Sequence, residues 1–220
     1  MPQAVWYAAY GSNLSPERFA SYLFGGTPPG GRRAHPGCRT PPARMPAPRP
    51  LSVPGAVHFA GVSRVWGGGM AFFDPDRDGT ALLAAYPLDL AAFLDVAAQE
   101  MHLAPEEAGD PDVVDPDDLE PGRSLMLRQG RYGTVHVVGR IGGAPVLTLS
   151  HGSFEPGPAA PPTDGYLGWI IRGLRTVHSL EASRIADHLA RAPGIGRSAG
   201  ELAALVRATP ADRSDEHPAR

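Results

Sequence analysis

Val5-Trp6-Tyr7-Ala8-Ala9-Tyr10-Gly11-Ser12-Asn13-Leu14-Ser15-Pro16 is the stretch from which the rest of the chain is read. Its apolar and aromatic first half predicts a buried strand. Gly-Ser-Asn then turns the chain, and Ser15 followed by Pro16 reads as an N-cap and first helical residue, with Leu14 and Phe19 at the spacing of a hydrophobic staple. Such a corner leaves backbone N–H groups facing outward at a helix start, and Gly11 lets the chain fold tightly with no side chain in a ligand's way. It is a cradle for an anion or a carbonyl oxygen, although the same letters also serve as ordinary turn punctuation.

Working outward, 220 residues suffice for one sizeable domain, read here as 1–209 with a disordered polar tail at 210–220. No stretch approaches the length of a membrane span, and the N-terminus lacks the charged and apolar regions of a signal peptide, so a soluble, cytoplasmic protein is expected. Cys38 is the single cysteine, which excludes an internal disulfide framework and a cysteine zinc cluster. The net charge of −3 predicts no general affinity for nucleic acid. All the basic residues are arginine and none is lysine, a bias expected of a GC-rich bacterial genome. Between Glu17 and Asp74 there is no acid, while Arg18, Arg32, Arg33, Arg39, Arg44, Arg49 and Arg64 fall there. The acids gather instead from Glu106 to Glu120, so the two runs are expected to be solvated faces or to face each other.

Phe19, Tyr22 and Leu23 sit at helical spacing before Gly25-Gly26. From Gly25 to Pro50 the chain is crowded with Pro, Gly and Arg and has no period, which predicts a long loop, either a lid or an insertion. Val53 to Ala60, Met70 to Phe73 and Thr80 to Tyr86 read as strands. Asp74-Pro75-Asp76-Arg77-Asp78-Gly79 imitates the opening of a calcium loop, but Ala85 stands where the bidentate Glu should be, so a hairpin turn is expected. Further strands are predicted over Ser124 to Leu127, Tyr132 to Ile141 and Ala144 to Leu149. Helices follow from Thr163 or Asp164, from about Leu180 to Arg191, and from Ala199 to Arg207. Two groups of strands with helices between and after them predict an α+β fold, a mixed sheet curled into a small barrel with flanking helices.

Pro87 to Met101 predicts a helix with Asp89 near its start, and its period carries chemical information. At about 100° per residue, Phe93, Val96, Ala97, Glu100 and Met101 share one face. Glu100 therefore stands in an apolar stripe, either as a reactive carboxyl or as a last-turn residue reaching water or a partner. Other constellations are absent or weak. Gly194-Ile195-Gly196 lacks the third glycine of a dinucleotide fingerprint, and Ser150-His151-Gly152-Ser153 is adjacent in sequence without being a triad in space. No P-loop, G-x-S-x-G or H-E-x-x-H occurs.

Tyr10-Gly11-Ser12-Asn13-Leu14 at the end of an N-terminal strand resembles the signature of the gamma-glutamylcyclotransferase-like family. Glu100 matches that family's catalytic Glu, on a helix after paired strands. Pro162-Thr163-Asp164-Gly165-Tyr166, running on to Gly173-Leu174, is similar to its proline, small hydroxyl and tyrosine motif. The resemblance covers about Ala4 to His178. It departs from the pattern in Met101, where a glycine commonly follows the Glu, and in the unmatched Gly25 to Pro50 insertion. What it implies is a small-molecule γ-glutamyl substrate, no cofactor and no metal. Tyr10, Gly11, Ser12, Asn13, Leu14 and Tyr166 would bind the substrate, and Glu100 would act as general acid and base. The rival expectations are a non-catalytic binding module in which an arginine neutralises Glu100, and an amide hydrolase in which Glu100 activates water.

Overall fold

The computed structural model describes residues 3–31, 33–107, 114 and 119–210. Arg32, most of the acidic run and the tail beyond Pro210, about which the sequence raised expectations, lie outside the described residues.

The opening apolar run is β1 (Ala4–Ala9), a central strand of a six-stranded sheet. It pairs antiparallel with β5 (Thr80–Asp89) on one side and parallel with β8 (Ala144–Ser150) on the other, so the sheet is mixed. β2 (Arg49–Pro54) extends the sheet beyond β5, while β7 (Thr134–Ile141) and β6 (Ser124–Met126) extend it beyond β8. β3 (Ala56–Ala60) and β4 (Met70–Asp74) form a separate two-stranded ribbon. The α+β reading therefore holds, but the expected barrel does not: the sheet is open. β2 carries Pro50 and Pro54, which bring no N–H to a ladder, and β6 is only 3 residues long, so the two edges do not pair. The ribbon is stitched to the sheet by side chains instead. Ser150 Oγ donates to the Phe73 carbonyl at 2.6 Å and accepts the Phe73 N–H at 3.1 Å.

The expected strand from Val53 to Ala60 is broken at Gly55, whose φ of 112° turns the chain from the sheet into the ribbon. β4 and β5 do not pair with each other. The Asp74 to Gly79 stretch is thus no hairpin turn but a loop that carries the chain back from ribbon to sheet opposite Gly55. Strand β2 also begins inside the stretch expected to be loop, at Arg49.

Helix α1 (Pro16–Phe24) and helix α2 (Leu90–Glu100) are capped by Ser15 and Asp89, whose side chains accept the Arg18 and Ala92 N–H groups. Pro87 and Leu88, expected in that second helix, belong to β5. Tyr7 from β1, Phe19 from α1, Tyr86 from β5 and Phe93 from α2 form one aromatic cluster between helices and sheet. Burial of a ring of this size stabilises the fold by about 1.5–3 kcal/mol. Helix α3 (Asp164–His178), capped by Thr163, packs on the β1–α1 corner and against α4 (Ala182–Ala190) and α5 (Ala199–Ala208). Gly173 permits that approach, because a Cβ there would fall 2.5 Å from the Leu14 carbonyl carbon.

Candidate active site

The corner after β1 folds as a single 3-10 turn, Ser12–Leu14. Fewer of its amides face outward than a turn-plus-helix pattern predicts. Leu14 N–H donates to Gly11 O and Ser15 N–H to Ser12 O, while the Ser12 backbone bonds to the Tyr166 hydroxyl. Tyr86 Oη donates to the Asn13 and Leu14 carbonyls from below. The corner is therefore held rigidly, with its own backbone groups largely paired.

Glu100 closes α2 at the same place. Its Oε1 accepts a hydrogen bond of 2.7 Å from Asn13 Nδ2, and Tyr22 donates its hydroxyl to the same carboxylate. Phe93, Val96 and Ala97 of its helix face are buried, and Glu100 itself is half-buried, its carboxyl opening onto a cavity. Loss of hydration pushes the Glu100 carboxyl up to about 7, against the opposing pull of Arg18 and of the Tyr22 hydrogen bond. Its proton is thus near balance at neutral pH.

The cavity measures about 450 Å³. Ser12, Arg18, Tyr22, Glu100, Tyr132 and Tyr166 line it, with the Ser63 to Gly67 segment and parts of the Pro/Arg-rich loop forming other walls. A smaller recess of about 30 Å³ shares Ser12, Glu100, Tyr132 and Tyr166 with it and reaches Tyr7, Tyr10, Gly11 and Asn13. Tyr166 Oη accepts the Ala71 N–H at 3.3 Å and lies 3.0 Å from where a Gly11 Cβ would stand. Having accepted from two backbones, its own O–H has no acceptor among the described residues.

Of the residues expected at a site, the fold brings Gly11, Ser12, Asn13, Glu100 and Tyr166 together. Tyr10 borders the recess, but its hydroxyl is committed to the Leu149 carbonyl at 2.6 Å. Leu14 does not reach either of these spaces. It is buried beneath Gly173 and helps wall a different cavity, of about 490 Å³, between the ribbon and α3 and α4. The adjacent Ser150 and His151 form no triad: the hydroxyl is bonded to Phe73, and the imidazole packs edge-on to Phe72 and His58. No group of His, Cys, Asp and Glu among the described residues could hold a metal ion. No helix among them is long and apolar enough to cross a membrane.

Arg18, Tyr22 and Trp66 were not singled out as site residues by sequence reasoning. The signal for Arg18 was present: it falls on the apolar face of α1 beside Phe19 and Tyr22, just as Glu100 interrupts α2. Asp95 and Gln99 form a second polar surface on α2, both buried. Asp95 binds the Arg39 guanidinium at 2.7 Å and the Arg39 N–H at 2.8 Å, and Gln99 Nε2 donates to the Tyr22 and Gly37 carbonyls. The Pro/Arg-rich loop is therefore clamped to α2. Arg39 pairs there with Asp95, and Glu120 of the acidic run meets Arg140 of β7.

No protein-family model matches this chain. Histone deacetylase 5 of Arabidopsis thaliana is 30% identical to it over an alignment of 206 residues that covers 86% of this chain and 30% of that protein. The chain thus spans less than a third of that relative's length. Among solved structures, a gamma-glutamyl cyclotransferase and an uncharacterized protein from Homo sapiens each superpose with a TM-score of 0.52 at 15% identity. The superpositions cover 94% and 93% of this chain, respectively, and 99% of each of those chains. At that identity the likeness establishes the fold alone: an α+β architecture shared with gamma-glutamyl cyclotransferase.

Proposed function

We propose that this chain, as a single domain over 1–209, is a cytoplasmic gamma-glutamylcyclotransferase-like enzyme that releases 5-oxoproline and a free amine from a small γ-glutamyl amide. The observation that carries the reading is Glu100: a carboxyl with a proton near balance, hydrogen-bonded to Asn13 of the β1–α1 corner and facing a cavity large enough for an amino-acid derivative.

The chemistry asks little else of the protein. The substrate's α-amine attacks its own γ-carbonyl carbon, so the new C–N bond forms within one molecule and a folded-back pose provides most of the acceleration. The attacking nitrogen sheds two protons, one before the attack and one after the new C–N bond forms; Glu100 takes each in turn and passes it to the leaving nitrogen, which departs as an ammonium ion when the amide C–N bond breaks. No water is consumed, and the two products together contain every atom of the substrate. The oxyanion formed in between is met by donors at the corner, with the Ser12 hydroxyl and the unaccepted Tyr166 O–H the nearest candidates. Gly11 keeps that side open, and Asn13 holds the Glu100 carboxylate in place. Tyr10 and Leu14 support the corner from behind.

Incubation with a panel of γ-glutamyl amines and dipeptides, read by mass spectrometry, is expected to yield 5-oxoproline. Glu100→Gln should lower the rate by about 10²–10⁴-fold, the usual worth of a positioned acid and base. An unchanged rate in that variant removes Glu100 from the mechanism. Cleavage of substrates whose α-amine is acetylated means hydrolysis with an activated water, and ligand protection against heat without turnover means a binding module.

A further inference from the structure

Arg18 is 4% exposed, and among the described residues it forms no ion pair. Its Nη1 donates to Ser21 Oγ at 2.8 Å and to His35 Nε2 at 3.0 Å, and burial and neighbouring arginines lower His35 to about 4, so the imidazole is a neutral acceptor. Its Nε has no partner. The guanidinium lies 5.1 Å from the Tyr22 ring centre and 5.9 Å from that of Trp66, held between two aromatic walls of the cavity that Glu100 faces. A buried cation without a counter-charge is costly unless something supplies one. Glu100 is in the same cavity, yet the two do not join in an ion pair, and Glu100 spends its bonds on Asn13 and Tyr22.

A positive and a negative group that face one cavity without meeting are complementary to a molecule carrying both charges on neighbouring atoms. We propose that Arg18 is the carboxylate anchor of this site. Its guanidinium, set in the cavity wall, takes the α-carboxylate of the substrate in a charge-assisted bond, while Glu100 takes the α-ammonium. The pair thus reads an amino-acid head group, and the site is restricted to γ-glutamyl compounds whose α-carboxylate is free. This deepens the cyclotransferase reading and rests on it for the identity of the substrate. Arg18 itself performs no proton transfer. Its part is to fix the head group so that the amine points at the γ-carbonyl.

The test uses the full chain with two probes of equal shape, 5-oxoproline and its neutral amide, by calorimetry on wild type, Arg18→Met and Arg18→Lys. Wild type is expected to bind the acid about 10–100-fold more tightly than the amide, the range of a charge-assisted bond. Arg18→Met should erase that preference, and Arg18→Lys should keep part of it. Equal binding of acid and amide by wild type overturns the anchor, as does a preference that survives in Arg18→Met. Should Arg18→Met fail to fold, the wild-type acid and amide comparison still decides. Turnover separates the two claims. Equal kcat/KM for γ-glutamyl substrates with a free and an amidated α-carboxyl refutes the anchor and leaves the reaction standing. An Arg18-dependent preference for the acid in a protein that produces no 5-oxoproline supports the anchor and refutes the reaction.

Discussion

Glu100→Gln gives the most direct measure of what the fold has done to this side chain. Burial raises its carboxyl from 4.5 to about 7. A raised acid favours the folded state while it is protonated, so its contribution is fully present below pH 4.5 and is lost as pH rises through about 7. Each unit is worth about 1.4 kcal/mol, which sets an upper bound of about 3.5 kcal/mol. The opening of Glu100 onto the cavity lets solvent screen part of this, leaving about 2 kcal/mol. Glutamine keeps the shape and an acceptor for Asn13 but carries no charge at any pH. Relative to wild type, the variant should therefore gain about 2 kcal/mol between acid and alkaline conditions. For a chain of this size that is about 4–8 °C in Tm. Thermal melts of both proteins across that range, followed by near-UV circular dichroism, give the difference directly, since the histidines and other carboxyls titrate in both and cancel. A Tm difference that stays flat with pH, or one that moves in favour of wild type, refutes the argument that Glu100 is desolvated in the fold.

Two further outcomes follow from the way the corner is held. Tyr166→Phe strips the acceptor from the Ala71 and Ser12 N–H groups, so chemical denaturation should show a loss of about 1–3 kcal/mol per group left buried and unpaired, alongside slower 5-oxoproline release. An intact denaturation midpoint would mean that this hydroxyl holds nothing. Gly173→Ala forces a methyl against the Leu14 backbone, which should cost about 1–3 kcal/mol and disturb the Asn13 and Glu100 contact, whereas the same change at Gly168, which has open space and lies outside the cavity wall, should leave both stability and turnover nearly untouched. Equal effects at the two glycines would contradict the packing described.

The helix and strand content followed from local chemistry. Caps at Ser15, Asp89 and Thr163, apolar runs, and glycine and proline punctuation are properties of neighbouring residues, and a sequence displays them. The embedded position of Glu100 was likewise a matter of helical period. Closure of the sheet was not, because it depends on whether two distant edges meet. Here proline in β2 and the shortness of β6 leave the edges apart, and Ser150 fastens the ribbon in place of a ladder. The same holds for the site. The sequence nominated Glu100 and the Gly11 to Asn13 corner separately, 87 residues apart from Asn13 to Glu100, and only the packing of α2 beside α1 put a 2.7 Å hydrogen bond between them. Arg18 interrupts the apolar face of α1 in the sequence, but that it and Tyr22 wall one cavity with Glu100 is a matter of how distant segments pack. Local propensities thus determined the elements. Desolvation, which requires atoms from four or five segments to exclude water together, was decided by the tertiary structure alone, and it is desolvation that makes Glu100 and Arg18 more than surface charges.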